Sequence, residues 1–395
     1  MAKAAATAAK KPRDLESQFM ELRKEFPILK DTVYLISHSM GAMPRGANDR
    51  LRQYADEWAR LGIEGYNAWM PRLRETADLI GSLFGAPPGT VSLHQNVSTL
   101  VSIALSAIFK PEGRRKVVYT TLNFPSVHYN FAMHRRLGID VQLVESPDGI
   151  EIPAEQIIEA IDERTLAVVI DHGIFRSGFL QDVDAIARHA HSRGVYTIVD
   201  AYQTVGCVPI DVKAWGIDFL VGGSHKWLCG GPGCSFMYVK EDLIPILEPR
   251  ITGWFSHARP FAFEMQMEFA PDAARFSTGT PNVPGVHAAR AGIEIIARVG
   301  PDKIREKSIR LTNRLIAMAE SEGLKVNSPR DHRRRSGVVC IDFPGAERAE
   351  KELLKKRIHV DYRPQCGIRV SPHFYTREDE LMSIVPLLKK MAKRK

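Results

Sequence analysis

The sequence predicts an α/β fold in which a mainly parallel sheet carries helices on both faces, followed by a smaller α+β domain at the C-terminal end. Three observations lead to this prediction. A chain of 395 residues exceeds what one small core holds. Short, continuously apolar strands alternate with helical stretches between about residues 90 and 240, as in sheets buried on both faces. From about residue 285 longer helices dominate.

Hydrophobic periodicity gives the elements in chain order. Apolar residues spaced by three and four predict helices within 45–61 and 72–84. Predicted strands then cover 90–93, 116–120, 141–144, 166–170, 195–199, 219–221 and 235–239. Predicted connecting helices cover 98–109, 126–137, 153–161 and 183–191. Further on, we predict one long helical stretch from 286 past 315, helices over 346–357 and 377–391, and strands over 337–343 and 368–370.

These elements divide the chain into three predicted segments. Residues 1–13, rich in Ala and Lys, form a flexible arm. Residues 14–284 form the large domain, with an N-terminal segment that packs on the small domain, and residues 285–395 form that small domain.

The net charge of +8 first suggests a polyanion as partner. The basic excess is peripheral, however. Residues 1–13 carry four basic and no acidic side chains, and residues 301–395 carry 23 basic and 13 acidic ones. The remainder, 14–300, is mildly acidic, and the basic run at 332–335 is typical of a solvated loop. We therefore expect no nucleic-acid partner.

Composition also indicates a location. The sequence contains no apolar stretch of 18 residues and no secretory signal, so no membrane contact is expected. Five cysteines, an odd and sparse set, favour reduced thiols and a cytoplasmic protein. Cys229 and Cys234 lack the second pair that a zinc site requires, so no metal is expected.

Two charged residues follow neighbouring predicted strands. Asp200 ends the strand at 195–199, and Lys226 lies just past the strand at 219–221. Ligands bind at the carboxyl ends of parallel strands, so these side chains can converge on one site. A lysine there can form a Schiff base, and an aspartate beside a pyridine nitrogen keeps that nitrogen protonated. The alternative is a structural ion pair.

The segment around this lysine, 218–233 (DFLVGGSHKWLCGGPG), resembles that of the class V aminotransferase superfamily, and most closely that of kynureninase and its relatives. Four more pieces of the pattern occur in family order: 39–41 (SMG), 123–126 (NFPS), 253–255 (GWF) and 367–370 (GIRV). The resemblance implies a large domain that binds pyridoxal 5′-phosphate (PLP) and a small C-terminal domain.

The resemblance also implies roles for single residues. Lys226 would carry PLP as a Schiff base and later move the α-proton of the substrate. Asp200 would pair with the pyridine nitrogen, Gln203 would hydrogen-bond the ring oxygen, and Phe124 would stack on the ring. Arg369 would grip the substrate α-carboxylate with its two-pronged guanidinium group.

Several residues are candidates for the phosphate group. Residues 95–99 lead into a helix whose free N–H groups suit a dianion, which selects Val97, Ser98 and Thr99; Ser98 could also be a simple helix cap. The resemblance adds four further contacts, of which the last two would come from the other subunit of a homodimer: Ser224, His225, Trp254 and Thr280.

Among the departures from the kynureninase pattern, His225 replaces a tyrosine, Gln203 a histidine and Val127 an aspartate, and Tyr202 stands where a small residue is usual. For Tyr202, either the side chain turns away or the pocket differs.

Further residues near the predicted substrate are ambiguous. Ser39 belongs to the shared pattern. His38, which replaces a family asparagine, could read a polar substrate side chain or be an exposed loop histidine. Cys366 is expected to be a packing residue rather than a sulfur carrier.

Together these features predict a PLP-dependent enzyme that acts on the α-carbon of an amino acid, as an aminotransferase or a β-eliminating lyase. Kynureninase-type hydrolysis of a carbon–carbon bond is the alternative. It ranks second because the tyrosine that is missing here is a proton donor in the kynureninase reaction. Alternatives of another class are a catalytically silent PLP-fold partner and a nucleic-acid-binding protein.

Overall fold

The computed structural model describes residues 14–393. The predicted arm at 1–13 lies outside the described residues. The helices of the described range are α1 Leu15–Arg23, α2 Gly46–Leu61, α3 Tyr66–Ser82, α4 Val97–Ile108, α5 Pro125–His134, α6 Ala154–Glu159, α7 Val183–Ser192, α8 Val283–Val299, α9 Pro301–Ser321, α10 Ala346–Lys355 and α11 Glu378–Ala392. The strands are β1 Val33–Tyr34, β2 Val91–His94, β3 Lys116–Thr120, β4 Asp140–Val144, β5 Thr165–Asp171, β6 Tyr196–Asp200, β7 Phe219–Gly223, β8 Ser235–Val239, β9 Lys325–Val326, β10 Val339–Asp342, β11 Ile358–His359, β12 Asp361–Arg363 and β13 Gly367–Val370.

The main sheet has seven strands in the order β2-β8-β7-β6-β5-β3-β4. Five of them, from β7 to β4, run parallel, and β8 is antiparallel to both β2 and β7. Helix α4 and part of α5 cover one face, whereas α3, α7 and α8 cover the other. This sheet confirms the predicted α/β class with a mainly parallel sheet.

The prediction of one long helical stretch from 286 past 315 is wrong. Helix α8 ends at Val299 and α9 begins at Pro301. Between them Gly300 takes a φ of +89°, which favours glycine, and Pro301 then supplies a first-turn position that needs no N–H partner. The apolar periodicity continues across this break, which is why it predicted one helix.

The C-terminal part contains a second sheet, antiparallel, with the order β12-β13-β10-β9. Helices α9, α10 and α11 pack on it around a separate apolar core. Helix α8 instead packs into the core of the main sheet beside α3. The boundary at residue 285 remains a prediction.

The N-terminal segment lies against the C-terminal part. Strand β1 pairs in parallel with β11, and the Phe19 ring packs 5.8 Å from that of Phe374. Nζ of Lys307 donates to Glu16 at 2.6 Å. None of the helices in residues 14–393 combines the length and apolar character needed to cross a bilayer.

Candidate active site

The site lies at the carboxyl ends of three parallel strands. Strand β5 ends at Asp171 and β6 at Asp200, and these two residues are register partners. Strand β7, which neighbours β6, runs through Gly223 into the segment that carries Lys226. Because all three strands run in the same direction, their last residues meet at one sheet edge. All three charged side chains line one cavity of about 240 Å³.

Two aromatic rings flank the amine of Lys226. Nζ lies 4.4 Å from the ring centre of Tyr202 and 5.5 Å from that of Phe124. Burial lowers the pKa of Lys226 to about 8, although the charge of Asp200 opposes this shift. The amine is therefore more readily deprotonated than an exposed lysine, as a nucleophile requires.

Asp200 adds a buried carboxyl group to the lining of the cavity. One oxygen, Oδ1, accepts the backbone N–H of Tyr202 at 2.8 Å. Burial raises the pKa of Asp200 to about 6, and the Lys226 charge acts against this rise. A cationic partner in the cavity would stabilise the ionised form of this buried carboxylate.

Asp171 is a second buried carboxyl group that the sequence analysis missed. Its two oxygens accept the Asn123 side-chain amide at 2.6 Å and the Phe124 backbone N–H at 2.9 Å. Burial, followed by the charge of Asp200, raises its pKa well above the usual range. Asp171 ends a strand as Asp200 does, so inspecting the end of the predicted strand at 166–170 would have found it.

Gln203 brings a polar atom without a hydrogen-bond partner to the lining of the cavity. The Gln203 amide donates to the His38 carbonyl at 3.1 Å, whereas its Oε1 is buried without a hydrogen-bond partner in the described residues. Gln203 lines the cavity, so Oε1 is available to a ligand group that carries a proton.

The start of helix α4 forms another wall. Asn96 caps the helix: its Oδ1 accepts the Thr99 N–H at 2.9 Å and the Thr99 hydroxyl at 3.1 Å. Val97 and Ser98 line the cavity, but Thr99 does not. Asn96, not Ser98, is therefore the cap, and the N–H groups of the first two helical residues remain for an anion.

The two predicted phosphate contacts in the lysine segment differ in whether they reach the cavity. His225 lines the cavity, whereas the buried Ser224 does not, and its hydroxyl donates to the Gly231 carbonyl at 2.8 Å. The Gly41 N–H binds the His225 carbonyl at 2.8 Å. An added Cβ at Gly41 would lie 2.2 Å from the Lys226 carbonyl oxygen, so a glycine is required for this close approach.

Each of the three guanidinium nitrogens of Arg369 donates a hydrogen bond to a protein group. Its Nε and one terminal nitrogen donate to both Asp361 oxygens, at 2.8 and 2.5 Å, and the other donates to the Phe175 carbonyl at 2.8 Å. Arg369 does not line the cavity around Lys226. Binding a substrate carboxylate would require Arg369 to share or exchange Asp361, so this role remains a prediction.

His38 belongs to the same buried network. Its Nε2 lies 2.9 Å from Asp361 Oδ1, and its Nδ1 lies 2.6 Å from the Ser371 hydroxyl. Burial lowers its pKa to about 4, so the ring is neutral and Nε2 donates to the carboxylate. The alternative of an exposed loop histidine is wrong, because His38 is fully buried.

The remaining predicted residues lie away from the Lys226 cavity. Ser39 is half-buried and is not among its lining residues. Thr280 is exposed and lines a separate cavity of about 630 Å³, and Trp254 stacks on Phe263 with ring centres 5.9 Å apart. Cys366 is buried, with Sγ 2.6 Å from the Arg176 carbonyl oxygen, which fits the packing role expected of it.

These residues suit PLP. Lys226 offers an amine, Asp200 a carboxylate, Gln203 an unpaired Oε1, and the start of α4 two free N–H groups, all around one cavity. The aromatic rings of Phe124 and Tyr202 can pack on a flat heterocycle. Across residues 14–393, no three His, Cys, Asp or Glu side chains are grouped so that they could hold a metal ion.

Comparisons with known proteins agree with this assignment. The model of the family "Aminotransferase class-V" matches residues 46–382. A kynureninase of Geobacillus thermodenitrificans is 30% identical over 97% of this chain and 93% of its own length. The uncharacterized aminotransferase YcbU of Bacillus subtilis is 32% identical over 91% of this chain and 95% of its own.

Solved structures share the fold. Apo cysteine desulfurase from Thermococcus onnurineus NA1 superposes with a TM-score of 0.83 at 20% identity, covering 94% of this chain and 98% of that one. The cystine C–S lyase C-DES, in complex with cysteine persulfide, gives a TM-score of 0.84 at 19% identity, covering 93% and 100%. The family match spans most of the chain, and the cavity fits the cofactor. This chain therefore belongs to the class V aminotransferase family and is a PLP-dependent enzyme of amino-acid chemistry.

Proposed function

We propose that this enzyme removes the α-proton of a small-to-medium amino acid and completes either a transamination or a β-elimination. The observation that carries this proposal is the position of Lys226, whose amine lies near two aromatic rings in a cavity that the buried Asp200 also lines. This arrangement can hold a flat cofactor with its reactive carbon at the lysine.

Each residue of the cavity has a separate role toward PLP or the substrate. PLP, when bound, supplies the electron sink that makes loss of the α-proton possible. Lys226 would hold the cofactor through Nζ, and the same atom would hold or move the α-proton of the substrate. Asp200 keeps a proton on the pyridine nitrogen, and Gln203 accepts a hydrogen bond at Oε1. The start of α4 binds the phosphate through its free N–H groups.

The shared residues serve the first step and do not select the second. Relatives named kynureninase and aminotransferase match over nearly the whole chain. His225 at the position before the lysine removes the tyrosine that kynureninases carry, which favours transamination or elimination over hydrolysis of kynurenine. Kynurenine cleavage is retained as an outcome of the test.

We propose further that the enzyme works as a homodimer in the cytoplasm. Trp254 and Thr280 lie outside the Lys226 cavity of their own chain, as expected of residues that serve a second subunit. Phe263, which stacks on Trp254, and Met265, two positions further along the chain, are exposed, at 74% and 101%, and would be covered by a partner copy. All five cysteines are free, which suits a reducing compartment. Light scattering on the purified chain tests the dimer, and a monomeric mass would contradict it.

The decisive experiment incubates the PLP-loaded enzyme with single amino acids, with and without 2-oxo acids. Pyridoxamine phosphate that accumulates and is consumed by a 2-oxo acid identifies transamination. Release of a 2-oxo acid with ammonia identifies elimination, and anthranilate from kynurenine would replace the proposal with hydrolysis. Lys226→Ala is the matched control, since it removes the amine that borohydride reduction would otherwise join to PLP. A chain that neither retains PLP nor reacts with any amino acid would refute the proposal.

A further inference from the structure

The most unusual side chain of the cavity is Tyr202. It lies two residues after Asp200, where the resemblance leads one to expect a small side chain, and it lines the cavity. Its hydroxyl is 2.7 Å from Nδ1 of His225, and the two rings are 5.0 Å apart. The pocket therefore differs from the family pattern, and the alternative that Tyr202 turns away is wrong.

The backbone makes room for this hydroxyl. A Cβ built on Gly223 would lie 2.1 Å from the Tyr202 hydroxyl oxygen and 2.2 Å from the carbon that bears it. The glycine at this position of β7 leaves space for the phenol beside His225. Tyr202 and Gly223 thus form a matched pair that holds the phenol against His225.

The protonation states give the hydrogen bond a direction. Burial lowers the pKa of His225 to about 4, so the imidazole is neutral. Burial also raises the pKa of Tyr202 well above its usual range, although a hydrogen bond from Ser235 opposes this rise. A neutral imidazole carries one N–H and one acceptor nitrogen, and a buried phenol needs an acceptor for its proton. The phenol therefore donates to Nδ1, and the imidazole proton is on Nε2.

The second nitrogen of His225 is free for a ligand. Within residues 14–393, Nδ1 has its hydrogen bond with Tyr202, whereas no hydrogen bond is made by Nε2. His225 lines the same cavity as Val97 and Ser98, whose N–H groups begin helix α4. An N–H on Nε2 adds a third donor to this wall, which suits a phosphate monoester.

We propose that Tyr202 is a positioning residue, which holds His225 in the Nε2–H tautomer so that the imidazole donates a hydrogen bond to the phosphate group of PLP. This inference rests on the proposed function, because it requires PLP in the cavity. Tyr202 acts through His225, in the way that an outer partner fixes the tautomer of a ligand histidine.

Tyr202→Phe tests this role, because it keeps the ring beside Lys226 and removes only the hydroxyl. We expect the apoenzyme variant to bind PLP roughly tenfold more weakly, by analogy with the loss of other outer histidine partners. Its affinity for pyridoxal, which lacks the phosphate, should not change. The measurement is equilibrium dialysis with both compounds. Tyr238→Phe, at a buried tyrosine of β8 outside the cavity, is the matched control.

Two further readouts separate positioning from a general structural effect. With nitrogen-15-labelled histidine, the His225 signals of the wild type should show one protonated Nε2, and Tyr202→Phe should show a mixture of tautomers. In a His225→Gln background, Tyr202→Phe should no longer alter the ratio of PLP to pyridoxal affinity. Equal weakening of both compounds, an unchanged ratio or unchanged nitrogen signals would overturn the role of Tyr202. A wild type that fails to bind PLP at all would instead overturn the proposed function.

Discussion

Replacing Asp361 by alanine should destabilise the protein more than any ordinary surface substitution. Asp361 accepts two hydrogen bonds from Arg369 and one from His38, and it is 6% exposed while Arg369 is 3% exposed. Asp361→Ala leaves the buried guanidinium without its counter-charge. Breaking a buried ion pair in this way costs about 3–5 kcal/mol, so the free energy of unfolding should fall by that amount.

The assay is urea unfolding of the purified apoenzyme at neutral pH, followed by circular dichroism. The double variant Asp361→Leu with Arg369→Met is the matched control. It removes both charges together, and we expect it to lie within about 1–2 kcal/mol of the wild type because no charge is left unpaired. A loss below about 1 kcal/mol in Asp361→Ala would refute the reasoning, since such values are typical of exposed pairs.

The same pair gives a pH dependence with a definite sign. Burial alone would raise the pKa of Asp361, but hydrogen bonding from His38 and the charge of Arg369 hold it well below its usual range. A carboxyl group with a depressed folded-state pKa stabilises the protein above its unfolded pKa, about 4. This contribution is lost as the pH falls below that value. The difference in the free energy of unfolding between Asp361→Ala and the wild type should therefore become smaller in acid.

Three other predictions address the cavity. The rate at which PLP is covalently incorporated into the apoenzyme should rise with pH and level off above about 8, because burial lowers the pKa of Lys226 to about 8 and only the neutral amine attacks. Stopped-flow absorbance measures this rate, and a rate that still rises tenfold per pH unit above about pH 9 would contradict the prediction. Asp171→Ala should lower the free energy of unfolding in urea by about 1–3 kcal/mol, because the buried Asn123 amide and the partly buried Phe124 N–H lose their acceptor; an unchanged midpoint would argue against this. Gly41→Ala should lower the free energy of unfolding by about 1–3 kcal/mol, because the added Cβ collides with the lysine segment. Gly46→Ala is the control, since its added Cβ would lie 3.5 Å from a side chain and should leave the stability unchanged. Equal melting temperatures of the two variants would contradict the prediction.

The main sheet was accessible from sequence because its strands are short apolar runs. The predicted strands at 116–120 and 235–239 have the bounds observed for β3 and β8. The α8–α9 break was missed because apolar periodicity continues through it, although the Gly300–Pro301 pair is a recognised stop-and-start signal.

The sequence could predict those residues of the site that lie at the ends of parallel strands. Asp200 and Lys226 were found because parallel strands bring their carboxyl ends together, and the same rule would have found Asp171. Asp361 could not be found in this way. Its partnership with Arg369 depends on the β12–β13 register, and the burial of His38 depends on contacts with residues more than 300 positions away. Such long-range pairings leave no local pattern in the sequence.

The pairing of β1 with β11 has a consequence for how the protein matures. During synthesis the N-terminal segment emerges first, but the Ser371 hydroxyl that binds the His38 backbone lies 333 positions later in the chain. The loop from His38 to Gly41 closes over the lysine segment and acquires its last partners only when β11 to β13 have left the ribosome. Contacts between residues so far apart in the chain form late in folding, because the chain must close before they can form. The loop that supports Gln203 and the lysine segment is therefore completed late in folding, and C-terminally truncated chains should hold PLP less tightly.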